Sequence, residues 1–481
     1  MNPTSPSRLL PVAALALLLG ACAATPPEPA VKIALPAAYA QAQEGWQPAQ
    51  PLAAMPRGAW WSVFDDPVLS TLEQQVAQHN QSLAAQLAAY EQAQAAVAQA
   101  QAAYFPAVTA GASASRARSA SAGAVGNSVS ASLGASWEPD LWGKVRLQVQ
   151  AGQAAAAASA ATLAGTQLSL QSTLATSYLQ LRTVDAQIRL ARDTVAADQR
   201  ALQLTENRYK AGVDTAADVA QARTQLLQAQ TSLTDLGVSR AQLQNAIAVL
   251  VGKAPADFTL PATIALPGVP AIPAGIPAQL LQRRPDLAAA QAQVAAANAQ
   301  IGVAQTAWFP NLTLSAQGGS QAARIAELFS APSLFWSLGP QLAATLFDGG
   351  LRRAQVQSSE AAYRQAVANY RQSALTALQQ VENNLAAQGI LTQEAQQQAE
   401  VVQAAQVQLR LAENQYKAGT APYLNVLTAQ TTLTTARNAQ LTLLNRRYAA
   451  AVALIQALGG GWGNENTPAI GPLPAASSTM R

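Results

Sequence analysis

The chain has 481 residues, enough for two or three ordinary domains, yet only 11% are charged and 5% aromatic, and long stretches are almost entirely Ala, Gln, Leu, Thr and Ser. Gln and Thr supply polarity without charge, and Ala and Leu favour helix, so the bias is toward long helices with wet flanks and away from a compact enzyme. The net charge of +4 comes from scattered basic residues, which argues against nucleic-acid binding, and one His with one Cys cannot build a four-ligand zinc site in one chain or a Cys-His or Ser-His mechanism away from His79.

At the N-terminus, Arg8 precedes an apolar run from Leu9 to Leu19. It is too short to cross a bilayer as a helix and fits the core of a signal peptide. Leu19-Gly20-Ala21-Cys22 follows, the layout of a lipoprotein cleavage site. We expect a signal peptide over 1–21 and an acylated, extended segment over 22–62. Diacylglyceryl and N-acyl lipid on Cys22 would be the only prosthetic group, with no cofactor and no metal. Ala23 after the cysteine, in place of an Asp, gives no inner-membrane retention signal and implies an outer-membrane address.

The next helix should end at Phe105-Pro106, because proline disfavours helix in the residue before it and donates no backbone hydrogen bond. Alternation follows. Val108, Ala110, Ala112 and Ala114 are apolar between polar or Gly positions up to Ser115, and Val129, Ala131, Leu133, Ala135 and Trp137 repeat the rule from Ser128. Gly143 to Tyr209 then reads as one very long helix of 67 residues without proline, about 100 Å at helical rise. Its positions Leu170, Leu174, Ser177, Leu181, Val184, Ile188, Ala191 and Val195 alternate spacings of three and four, a coiled-coil seam. A turn at Ala211-Gly212-Val213 sends the chain back as a helix through Val219 to Leu250. A Pro-rich linker over 255–278 ends this first unit, 63–254.

The second unit, 279–459, repeats the first. Tyr104-Phe105-Pro106 returns as Trp308-Phe309-Pro310, Glu206 through Gly212 as Glu413 through Gly419, and Gly143 through Arg146 more loosely as Gly349 through Arg352, at separations of 204, 207 and 206 positions. Its strands are expected over Leu312, Leu314 and Ala316 and over Leu334, Trp336, Leu338, Leu342, Ala344 and Leu346. Its long helix runs from Gly350 to Tyr416, its turn is Ala418-Gly419-Thr420, and its return helix spans Val426 to Leu458, before a tail over 460–481.

Four strands cannot lie open in a bilayer, since unpaired edge groups cost several kcal/mol each in hydrocarbon. Two copies would make a filled eight-strand barrel, whereas three would make twelve strands and leave a lumen. The fold class expected is therefore an α+β membrane protein with internal duplication: a trimeric 12-stranded β-barrel, four strands per chain, continued by a long α-helical coiled-coil barrel. A lipid-anchored coiled-coil spacer between envelope layers is the alternative, but it needs no alternating strands. No nucleophile, base and oxyanion set points to an enzyme.

Trp60-Trp61-Ser62-Val63-Phe64-Asp65-Asp66-Pro67-Val68-Leu69, Arg283-Arg284-Pro285-Asp286-Leu287 and Ala296 through Gly302 together resemble the outer membrane factor family, in particular its lipidated, OprM-like branch of TolC-type channels. The bare residues leave the Trp60-Trp61 pair open between packing and function, and Arg283-Arg284 reads as a helix-start charge arrangement with Asp286. The resemblance implies a homotrimeric efflux duct that meets a periplasmic adaptor and an inner-membrane transporter of the resistance-nodulation-division type, in contact with outer-membrane lipid and not with nucleic acid. It also places the adaptor-contacting tips at Gly212, Val213, Gly419 and Thr420, and a periplasmic gate nearby. Aligning the turns sets Asp218 in register with Asn425, with Thr428 three residues on, where many relatives carry aspartate. Rings of Asn425 and Thr428 would be polar and uncharged, with Tyr416 and Asp218 as candidate linkers.

Overall fold

The computed structural model describes residues 39–40, 59–118, 125–263, 265–272 and 283–460. Cys22, the signal segment 1–21 and most of the tail lie outside the described residues. A short 3-10 helix, Trp60–Phe64, opens the continuous part. Helices α1 (Pro67–His79) and α2 (Gln81–Ala102) lead to strands β1 (Ala107–Arg118) and β2 (Val125–Trp137), long helix α3 (Lys144–Lys210) and return helix α4 (Ala216–Leu250). The second half gives α5 (Pro285–Thr306), β3 (Asn311–Ala322), β4 (Leu334–Ala343), α6 (Leu351–Lys417) and α7 (Tyr423–Ala457).

The long helices α3 and α6 each have 67 residues, and the return helices α4 and α7 each have 35, so the two helical hairpins match in length. The long helices begin one residue after the expected start, because an aspartate upstream sets each start. Asp140 accepts from the backbone N–H groups of Val145 and Arg146 at 2.9 Å, and Asp348 accepts from those of Gly350 at 2.9 Å and Arg352 at 3.2 Å. They end in Schellman turns. Gly212 and Gly419, both at φ +73°, donate to the carbonyls of Tyr209 and Tyr416, while Val213 and Thr420 donate to those of Arg208 and Gln415.

The four strands form one antiparallel sheet in the order β1-β2-β3-β4. The fourth strand stops at Ala343, so Ala344 and Leu346, expected within it, fall beyond it, in the approach to the Asp348-Gly349-Gly350 turn that starts α6. Register makes the alternation coherent across the whole sheet. Val108 pairs with Ala135, Ala135 with Ala316 and Ala316 with Leu338, and the next apolar row runs Ala110, Leu133, Gly318 and Trp336. Between these rows lies the opposite face, with Thr109, Gly134, Gln317 and Ser337 in one line. Leu133, Trp336 and Leu338 are 62%, 83% and 76% exposed, so the apolar face is uncovered in one chain. The outer edges of β1 and β4 have no neighbour strand among the described residues.

The chain divides into two compact units, each drawing on both sequence halves. One holds the sheet and the helix ends joined to it. There Trp142 stacks on Phe309 at 4.9 Å and donates to the Pro310 carbonyl at 2.6 Å, and the Trp137 indole donates to the Tyr104 carbonyl at 3.0 Å. Each repeated aromatic-Phe-Pro motif thus meets a tryptophan where helix becomes strand.

The other unit is helical. Along α3, the seam positions Leu174, Leu181, Val184 and Ile188 are buried and Leu170, Ser177, Ala191 and Val195 half-buried; in α6, Ala374, Ala377, Val381 and Leu385 are buried at spacings of three, four and four. Asp66 caps α1 by accepting from the N–H groups of Val68 and Leu69, and its other oxygen accepts from the Tyr178 hydroxyl at 2.7 Å, which fixes α1 on α3. Trp60 is 1% exposed and meets Trp61 edge to face, with Phe64 against Tyr448, so this aromatic signature is packed core. Glu73 of α1 is buried without a hydrogen-bond partner among the described residues, and burial pushes its carboxyl up to about 9, so it belongs to this core as a neutral acid. Arg284 grips Asp286 with two nitrogens, at 3.0 and 2.7 Å, as its helix-start position suggests, and also reaches Gln380 and the Ala457 carbonyl. His79 is exposed. No helix among the described residues is long and apolar enough to cross a membrane.

Candidate functional site

The two Gly turns and the first residues of the return helices belong to the helical unit. Gly212, Gly419 and Thr420 are exposed, Val213 is 62% exposed, and a Cβ added at either glycine would meet nothing within 4 Å. The turns therefore present small, open surfaces with their backbone already satisfied.

Tyr416 and Asp218 each have a partner, and in neither case is it the other. The Tyr416 hydroxyl donates to Asp214 Oδ2 at 2.7 Å, across 202 positions of sequence. Asp214 also takes two contacts from Arg208 Nε at 3.1 Å, and the Arg208 guanidinium lies 4.5 Å from the centre of the Tyr416 ring. Burial and the acceptor Asp214 push the Tyr416 phenol up to about 12, so it stays a donor at physiological pH. Asp218 is engaged by its own helix start. Its carboxylate accepts from the Thr215 N–H at 2.9 Å and hydroxyl at 2.7 Å, while Thr215 accepts from the Asp218 N–H, a reciprocal capping box. Those bonds hold the Asp218 carboxyl below the usual carboxylate range. The carboxylate that Tyr416 reaches within the chain is Asp214, four residues before Asp218. Its signal was the Asp two residues after the repeated glycine, where the second half has Ala421.

Asn425 and Thr428 are exposed on α7, on a face continued by Thr432 and Thr435, while Tyr423, Val426, Leu427 and Ala429 pack inward. The Thr428 hydroxyl donates to the Leu424 carbonyl at 2.9 Å, so its free lone pairs face outward. No acidic residue occurs anywhere in α7. The exposed face of the second return helix is thus polar and free of negative charge.

An apolar-faced sheet with two open edges, joined in sequence to duplicated coiled-coil hairpins, is what a membrane channel with a helical extension requires. The family model described as outer membrane efflux protein matches residues 72–253 and 276–460, covering both halves. The chain belongs to the outer membrane efflux protein family. It is 35% identical over 464 residues to the pyoverdine export outer membrane protein OpmQ of Pseudomonas putida, covering 93% of this chain and 96% of that protein. It is 34% identical over 467 residues to the antibiotic efflux pump outer membrane protein ArpC of Pseudomonas putida, covering 94% and 96%. Among solved structures, the outer-membrane channel OprN matches with a TM-score of 0.82 at 30% identity, over 91% of this chain and 99% of that one. The fold is that of the family's outer-membrane channels.

Proposed function

We propose that the chain is the outer-membrane exit duct of a tripartite efflux pump, working as a homotrimer with a periplasmic adaptor and an inner-membrane transporter and conducting small molecules passively outward. The observation that carries this reading is the continuous apolar face across four strands whose outer edges have no partner strand among the described residues. Three copies would close the edges into twelve strands and turn that face to lipid. An envelope spacer has no use for such a face. Relatives of nearly equal similarity carry names that differ in cargo, pyoverdine for one at 35% identity and toluene for another at 33%. Cargo choice is therefore expected in the transporter, and the duct needs no shaped pocket.

Purified trimers are expected to form ion-conducting channels in planar bilayers, and absence of conductance would favour the spacer. The uncharged face at Asn425 and Thr428 supports a gate held by hydrogen bonds that traps cations weakly. Thr428→Asp should raise cation selectivity and confer block by multivalent cations applied from the periplasmic side. Tight block of the parent channel would place the gate elsewhere.

Lipid on Cys22 completes the reading. Mass spectrometry of the mature N-terminus is expected to find acylated Cys22, and an unmodified chain beginning elsewhere would remove the anchor. Cys22→Ala should still trimerise, because closing strand edges in a bilayer is worth more than a second membrane signal.

A further inference from the structure

Asp198 of α3, twelve residues before the end of that helix, is 1% exposed. Its Oδ1 accepts from Gln430 Nε2 of α7 at 2.5 Å, across 232 positions, and its Oδ2 has no hydrogen-bond partner among the described residues. One buried carboxyl therefore joins the first sequence half to the second just behind the turn, with half of its acceptor capacity unused.

The neighbouring groove, about 300 Å³, shows which other groups face this seam: Asp193 and Arg200 from α3, Glu413, Tyr416 and Lys417 from α6, and Tyr423 and Arg437 from α7. None of the cations pairs with Asp198; the polar contact it keeps is the neutral Gln430. We propose that Asp198 forms a proton-sensitive clasp with Gln430: the α3–α7 seam stays closed when Asp198 is neutral and loosens when it ionises, because the carboxylate's lost hydration outweighs its stronger bond to Gln430. A neutral carboxyl can sit in this apolar seam beside Ala201, Tyr423 and Val426, whereas a carboxylate with one unsolvated oxygen gains by opening to water.

Burial pushes the Asp198 carboxyl up to about 6, against the smaller opposing pull of the Gln430 bond. The folded value lies above the ordinary one, so the closed seam is most favoured in acid, and the advantage is lost as pH rises through about 4 to about 6, then levels off. Linkage over that range makes the seam's opening about tenfold more populated at pH 7 than at pH 5.

The test is amide hydrogen exchange of the 423–437 segment in detergent-solubilised full-length protein, corrected for the intrinsic pH dependence of exchange and independent of whether the channel conducts. Protection is expected to fall about tenfold from pH 5 to pH 7 in the parent and to be flat in the near-isosteric Asp198→Asn. Gln430→Leu, which removes the single donor, should move the midpoint to higher pH. A flat parent profile, or the parent's slope persisting in Asp198→Asn, overturns the clasp, as does a Gln430→Leu midpoint that stays put or falls.

Discussion

Asp185→Ala is expected to destabilise the helical unit by about 3–5 kcal/mol, the largest stability effect of any substitution considered. Asp185 of α3 is buried and accepts from Arg182 Nη1 at 3.3 Å, from Arg240 Nε of α4 at 2.7 Å and from the Thr263 N–H at 3.4 Å. The same arginines donate onward to the linker, Arg182 to the Pro261 carbonyl and Arg240 to the Leu260 carbonyl, each at 2.8 Å. One carboxylate therefore joins the long helix, the return helix and the Pro-rich linker. Its removal leaves the buried Arg182 guanidinium and the half-buried Arg240 without a counter-charge, which costs far more than losing a surface pair. The measurement is the temperature at which the trimer dissociates on gels. Asp185→Asn, which keeps an acceptor but loses the charge, should lie between parent and Asp185→Ala. If Asp185→Ala dissociates at the parent's temperature, the linker is held by packing alone.

Gly212→Trp and Gly419→Trp are expected to abolish export while leaving trimers and membrane insertion intact. Both glycines sit at φ +73°, so any L side chain there costs about 1 kcal/mol of backbone strain, too little to unfold a chain of this size. The added ring would project into open space, since nothing lies within 4 Å of the Cβ position. An indole at an exposed turn can then act only on what docks there, and on the reading above that is the adaptor. Efflux of a dye or antibiotic by cells carrying each variant, beside gels for trimer and membrane fraction, separates the two effects. Gly212→Ala carries the same backbone strain with little bulk and should retain most export. Normal efflux in both Trp variants would move the docking surface away from the turns.

Local pattern made the architecture legible. Proline-free runs bounded by glycine gave α3 and α6 to within a residue at each end, because a helix that meets no breaker continues until a residue with positive φ reverses it. Strand alternation was visible because its period is two and the apolar residues keep to one face of the sheet. The apolar face, by contrast, depended on register: shifting β3 by one residue against β2 would put Gln317 and Ser315 beside Leu133 and Ala135 and mix the faces.

The sequence thus determined the elements, their duplication and the family motifs, all of which follow from neighbours a few residues apart. Tertiary structure alone decided the partners. Alignment of the two halves pointed to Asp218, yet Tyr416 reaches Asp214, and Asp218 closes its own cap. Likewise Asp198 meets Gln430, and Arg284 meets the carbonyl of Ala457, across 232 and 173 positions. Each residue of a helix is rotated by about 100° from the last, so which of two nearby carboxylates faces a partner depends on how whole helices are turned against one another. That rotation is set by the summed packing of their seams, and no short stretch of sequence carries it.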